Sequence, residues 1–247
     1  MRALAPLFAV LLWSAALSRS AWAEAGLDAE ELKIYSPGIT QGERELESIF
    51  FTTKGHQQGY AVSAGYSPTS YWSVEAYQVY HRDSGGALLA DAVEIENRFA
   101  FAAPGQYWLD MGAAAEFAIP QQSGAHGAAR FAPILEKQFG AALVSLNLPL
   151  EWQYGPSYAP GTTIGYAARA EYLLHPLLSP ALEAFGEPGE IGRFTGTPGQ
   201  KHSAGPAAYG EAHLAARRTL RYSVASLYGL TSASPAWTMV ARLEFEF

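Results

Sequence analysis

Three short stretches of the sequence carry residue types that could do bond chemistry. His81-Arg82-Asp83 matches the triplet of a kinase catalytic loop, Asp83-Ser84-Gly85-Gly86 echoes the nucleophile segment of serine proteases, and Glu211 stands two residues from His213. A kinase loop needs a Leu after the Asp and an Asn further on, and Ser84 and Gly85 follow here instead. A nucleophile needs a base within hydrogen-bond reach, and nothing in the spacing supplies one for Ser84. The six histidines (His56, His81, His126, His175, His202, His213) include no i, i+4 pair, and there is no cysteine, so no metal-ligand spacing and no thiol chemistry can be read. No catalytic, cofactor-binding or metal-binding residue is assigned.

The remaining charges follow a different rule, which is period two. Glu94, Glu96 and Arg98 alternate with Val93, Ile95 and Phe99. Asp110 and Glu116 lie opposite Met111, Ala113, Ala115 and Phe117, with Ala114 on the charged side. Ser145, Asn147 and Glu151 alternate with Val144, Leu146, Leu148, Leu150 and Trp152. Arg169 and Glu171 face away from Ile164, Tyr166, Ala168, Ala170 and Tyr172. Arg242, Glu244 and Glu246 face away from Trp237, Met239, Ala241, Leu243, Phe245 and Phe247. Strict alternation of this kind reads as half-buried β-strands.

Such strands suit either a soluble sandwich or a membrane barrel. In a barrel the apolar face meets lipid and the polar face lines the interior. The apolar faces here are uneven and rich in Ala, which fits lipid better than a close-packed core. Aromatic residues mark both ends of one face (Tyr60 and Tyr66, Trp72 and Tyr80, Tyr107 and Phe117), as the two girdles of a barrel require. The pattern therefore predicts an all-β fold: an antiparallel, transmembrane, up-and-down β-barrel of about 12 strands. The strands are expected near 43–53, 58–66, 70–81, 90–102, 107–118, 128–138, 141–153, 162–174, 179–187, 204–214, 219–230 and 235–247. Their connections alternate between short turns, such as 103–106 and 138–140, and longer polar loops, the longest at 186–203. His56, His126 and His202 fall in these longer outer loops.

The start of the chain sets the compartment. Met1-Arg2, the apolar run Leu4–Leu17 and Ala21-Trp22-Ala23 have the layout of a cleaved export signal over residues 1–23. Residues 24–42 are then expected as a periplasmic N-terminal segment and 43–247 as the barrel. Without Arg2 and Arg19 the 16 basic residues fall to 14 against 23 acidic, a net charge of −9 that argues against nucleic acid as a partner.

The segments Glu94–Phe117, Ile134–Gly140, Ser179–Gly192 and Tyr228–Phe247, with Gly42–Glu47 near the start, resemble a group of uncharacterised proteobacterial outer-membrane proteins. The resemblance implies a porin-like barrel in the bacterial outer membrane and transfers no catalytic residue. A last strand ending on Phe245 and Phe247 resembles the assembly signal of such proteins. That implies outer-membrane lipid and the barrel-assembly machinery as partners.

What the lumen does is read from its charges. The inward set holds fourteen acids: Glu45, Glu47, Glu75, Glu94, Glu96, Asp110, Glu116, Glu136, Glu151, Glu171, Glu183, Glu211, Glu244 and Glu246. Five bases oppose them, Arg98, Arg130, Arg169, Arg221 and Arg242, and pairs two apart (Glu96 with Arg98, Arg169 with Glu171, Arg242 with Glu244) are expected to form ladders. An excess of acids needs water to stay ionised and favours cations. The expected function is a small diffusion channel for small solutes, cationic or neutral by preference, with no cofactor. Two alternatives stand beside it. One is a structural or adhesive barrel with a plugged lumen. The other is an outer-membrane lipid hydrolase using His81 with Asp83 and Ser84, or Glu211 with His213.

Overall fold

The computed structural model describes residues 32–83, 85–156, 161–215 and 218–247. The expected export signal, residues 24–31 and Ser84 lie outside the described residues. No helix among the described residues is long and apolar enough to cross a membrane.

Among the described residues fourteen strands form, in chain order: β1 (Arg44–Thr53), β2 (Gln58–Thr69), β3 (Trp72–Arg82), β4 (Leu88–Ala100), β5 (Asp110–Pro120), β6 (Gly127–Phe139), β7 (Ala142–Asn147), β8 (Leu150–Tyr154), β9 (Thr163–Tyr172), β10 (Ser179–Glu190), β11 (Arg193–Phe194), β12 (Lys201–Ala215), β13 (Arg218–Gly229) and β14 (Trp237–Glu246). β7 and β8 are two halves of one stave, since both pair with β6 on one side and β9 on the other. β11 is a two-residue extension folded back on the end of β10. β1 pairs with β14 along nine residues, so twelve antiparallel staves close into a barrel with no free edge. Closure is completed at the last residue: Phe247 and Arg44 exchange both backbone hydrogen bonds, at 2.9 and 3.2 Å.

Exposure alternates along most staves as the sequence predicts, although on β5 Gly112, Ala113 and Ala114 are all buried, so Ala113 is covered where the alternation places it on the lipid face. Leu46, Val62, Phe117, Leu182, Val224 and Met239 are exposed, and the residues next to them point into the barrel and are largely covered. The turn between β6 and β7 needs only Gly140 and Ala141, with Gly140 at φ 61°, a conformation that favours glycine. The split between β7 and β8 has an equally local cause. Pro149 has no N–H to give the ladder, so Leu148 donates to Pro133 instead (3.1 Å) and Gly165 donates to the Pro149 carbonyl (2.8 Å).

Three expectations are corrected. The connection expected at 103–106 occupies 101–109, and β5 begins only at Asp110, which accepts a 2.6 Å hydrogen bond from the Gly105 N–H. Asp110 therefore ties a turn at the rim. The loop expected at 186–203 shortens to 191–200, because β10 and β12 stay paired out to Glu187 and Lys201. That pairing also carries His202 out of the loop and onto β12, where its ring stacks on Tyr166 across Gly186.

The interior departs from a purely polar lining. Ile49, Phe51, Val79, Phe185, Leu227 and Val240 are inward and buried, and with Leu32 and several alanines they form one apolar cluster inside the barrel. Phe51 fits because Gly59 stands opposite it: a Cβ there would lie 2.1 Å from the ring.

The largest difference concerns residues 32–42, expected in the periplasm. Residues 32–39 run inside the barrel, whereas Thr40, Gln41 and Gly42 are exposed at its rim, where the Gln41 side chain donates to the Pro68 carbonyl. Leu32 is 2% exposed and joins the apolar cluster, while Tyr35 packs with Ala114, Ala132 and Ile134. The physical reason is charge, because Lys33 finds there the carboxylates that the arginines leave over.

Candidate functional site

The site is the charged half of the lumen together with the segment that enters it. Register places the charges. Glu75 on β3 stands directly opposite Glu96 on β4, Glu96 opposite Glu116 on β5, Glu116 opposite Arg130 on β6, and Arg130 opposite Glu151 on β8. A row of five charged side chains thus crosses neighbouring staves, with three acids side by side. Like charges directly opposite in a sheet repel, so the row needs cations at both ends.

One end is served by the barrel itself. Arg130 lies 2.8 Å from Glu116 and 2.8 Å from Glu151, and all three are largely shielded from solvent. Charge-assisted bonds in so dry a setting are strong provided both partners stay. The other end is served by Lys33. Its Nζ is 2.9 Å from Glu47, 3.3 Å from Glu75 and 3.9 Å from Glu96, and it hydrogen-bonds the Tyr77 hydroxyl. The Tyr77 and Tyr35 rings lie 4.9 and 5.2 Å from it, within cation–π range. Burial works against the Lys33 charge, and the surrounding carboxylates of Glu47, Glu75 and Glu96 favour it.

The segment carrying Lys33 is fixed by single side chains. Asn147, 1% exposed, accepts a 2.6 Å bond from the Tyr35 N–H and donates a 3.1 Å bond to the Tyr35 carbonyl. The Pro149 break sets Asn147 at the end of β7, facing in. Ser36 donates to Glu136 at 2.9 Å, and Arg242 donates to the Leu32 carbonyl. On the side of the barrel where β1 begins and β14 ends, this segment borders a cavity of about 750 Å³ lined by Glu45, Glu47, Arg98, Arg169, Glu244 and Glu246 among others. On its other side lies a small cavity of about 110 Å³ that Lys33 and Tyr35 also line.

The other expected residues fall as follows. Arg169 pairs with Glu171 (3.5 Å), as the spacing suggests, and also with Glu136 (3.5 Å). Arg242 reaches Glu183 (3.4 Å) and Ser223 (3.1 Å) instead of Glu244, which pairs with Arg221 (3.3 Å). Glu96 turns to Lys33, and Arg98 sits in the combined field of Glu45, Glu96, Glu75 and Glu244. Glu94 is inward and 2% exposed. Phe245 and Phe247 stack on the outer surface with ring centroids 5.6 Å apart.

The catalytic candidates separate. His81 pairs with Asp91 at 2.5 Å, while Asp83 caps its own turn through the Ala87 N–H at 2.7 Å. Glu211 does reach His213 (3.0 Å), whose other ring nitrogen is 3.2 Å from the Thr219 hydroxyl. That imidazole is 70% exposed and Glu211 is shared with Arg221 at 2.9 Å, so water and a second cation compete for each contact.

Lys33, Tyr35 and the Ile49–Phe51 pair went unnoticed in the sequence. Glu45 and Glu47 carry the one usable signal, since the same parity continues inward to Ile49 and Phe51.

No family model matches the chain, and no curated protein sequence matches it. Solved structures do. The KdgM porin superposes with a TM-score of 0.55 at 5% identity, over 82% of this chain and 98% of its own. An outer membrane channel from Pseudomonas putida F1 gives 0.57 at 10% identity, over 85% and 97%. The translocator domain of the autotransporter NalP from Neisseria meningitidis gives 0.50 at 12% identity, over 85% and 89%. The fold is that of outer-membrane porin-like barrels, and the apolar belt around this one belongs in the bacterial outer membrane.

Proposed function

We propose that the chain is an outer-membrane channel for small solutes, cationic or neutral by preference, with its lumen closed at rest by residues 32–39. The observation that carries this reading is how the closure is built. The obstruction is a segment outside the β-ladder, held by Lys33, Asn147 and a few other side chains, and it borders a cavity of about 750 Å³. A permanently filled barrel has no need of a removable occupant. The preference rests on charge: Lys33 joins the five arginines, and six bases still face fourteen acids. A neighbouring porin, KdgM, has been solved in complex with disordered oligogalacturonate, so a barrel of this shape accommodates a solute. Lipid surrounds the belt, and Phe245 and Phe247 present the last strand to the assembly machinery.

A filled structural barrel is the second reading, favoured by the apolar cluster around Phe51, Phe185 and Leu227 inside the wall. Planar bilayers under a salt gradient separate the two. The channel reading expects a small conductance with a cation-favouring reversal potential, rising when Lys33 is replaced by Met. An anion-favouring potential overturns the preference. No conductance in either protein overturns the channel and leaves the filled barrel.

A further inference from the structure

The Lys33 surroundings are built beyond what one lysine requires. An ammonium has three hydrogens to give. Glu47, Glu75 and the Tyr77 hydroxyl receive them, yet a third carboxylate, Glu96, also points at the site from 3.9 Å. Glu96 is 2% exposed and its Oε2 makes no hydrogen bond. The wall residues are themselves held in place: Tyr77 donates to Glu47 at 3.0 Å, and Ser63 donates to Glu75. Three carboxylates, a hydroxyl and a tyrosine face are thus fixed by the staves β1, β3 and β4, whereas the cation comes from a segment outside the ladder.

We propose that this cage is the binding site for the primary ammonium group of a permeating solute carrying more than one positive charge, a diamine or polyamine, and that Lys33 is a tethered stand-in for it. The proposal deepens the channel reading and rests on it. Its chemistry is selective in two ways. A primary ammonium reproduces the three hydrogen bonds of Lys33, and a quaternary ammonium cannot. With Lys33 withdrawn the cage holds three carboxylates, so a second positive charge on the solute is rewarded there and meets Glu45 and Glu244, which line the adjoining cavity and are shared in it with Arg98 and Arg221.

The test is calorimetric titration of spermidine into detergent-purified protein, with tetramethylammonium and potassium as comparison cations at equal ionic strength. Three proteins are compared: the wild type, Lys33→Met, and Lys33→Met carrying Glu75→Gln and Glu96→Gln. Wild type is expected to bind spermidine weakly, Lys33→Met at least tenfold more tightly, and the triple variant no better than wild type. Tetramethylammonium should bind to none of them. Heat-modifiable migration in gels verifies closed barrels, and Lys33→Gln runs in parallel in case the apolar substitution impairs assembly. Should neither Lys33 variant form a barrel, wild type itself decides: spermidine must raise its bilayer conductance above that in matched sodium chloride. Equal spermidine affinity with and without Lys33, or tight binding that survives loss of Glu75 and Glu96, overturns the proposal. Spermidine binding without conductance in any variant keeps the site and removes the channel. Conductance without spermidine preference does the reverse.

Discussion

Asn147 is the residue through which the closure can be perturbed most cleanly. Its backbone belongs to the ladder, opposite Ile134 and Ala167, and its side chain alone reaches the Tyr35 backbone. Asn147→Leu keeps the volume and the ladder but removes both bonds. A buried backbone group left without a partner costs about 1–3 kcal/mol. Two such groups, partly rescued by water from the adjoining cavity, give about 2 kcal/mol against docking of the segment. At 1.4 kcal/mol per factor of ten, the undocked fraction should rise roughly thirtyfold. The chain has no cysteine, so Leu32→Cys, at a position 2% exposed, supplies a single buried thiol as reporter. Its labelling rate with a membrane-impermeant maleimide is compared with and without Asn147→Leu in the same background. A thirtyfold faster rate in the double variant, with unchanged heat-modifiability, is expected. Equal rates within a factor of two would show that the Asn147–Tyr35 pairing does not hold the segment in place.

Two further outcomes follow from the outer surface. Val224 is 50% exposed at mid-strand on β13, so Val224→Arg should cost about 2–4 kcal/mol in equilibrium unfolding from lipid vesicles, and a cost under 0.5 kcal/mol would contradict the lipid-facing assignment. Replacing Phe247 by Ser should lower the amount of protein recovered in the outer membrane while export proceeds normally, because assembly must recognise the last strand before its edge is paired; wild-type recovery would sink that role for the aromatic terminus.

The staves were legible because one face of each is committed to lipid, and a two-sided environment forces period two on the sequence. Boundaries slipped where a side chain did turn work, as at Asp110. The lumen was legible only in part. In Ile49-Phe50-Phe51 both faces are apolar, so alternation is silent, and the inward parity has to be carried up from Glu45 and Glu47. The same limit applies at Ala114. Period two marks it only as a residue of the charged, inward side, yet it is 4% exposed and packs with Tyr35, a residue 79 positions earlier. Residues 32–36 carry no readable periodicity, since their polar groups are held by different partners: Lys33 by Glu47, the Tyr35 backbone by Asn147, Ser36 by Glu136. Irregular contacts of high sequence separation leave no local pattern.

The acid row gives the closure its energetic logic. Glu75, Glu96 and Glu116 are opposite one another on three successive staves, an arrangement that weakens the empty wall. Arg130 relieves the row at Glu116, but no arginine forms an ion pair with Glu75 or Glu96 among the described residues. Those two acids meet Lys33 instead. Removing one partner of a buried charge pair costs more than the pair contributes, because the remaining charge stays dry. The wall between β3 and β4 therefore cannot stay both dry and vacant. It holds Lys33, or it admits water, or it takes a cation from outside. A barrel whose lumen were only to be filled could have used apolar residues here, as it does around Phe51 and Leu227. Keeping carboxylates at this height ties docking of the N-terminal segment to the cation content of the lumen, and the two should respond to each other.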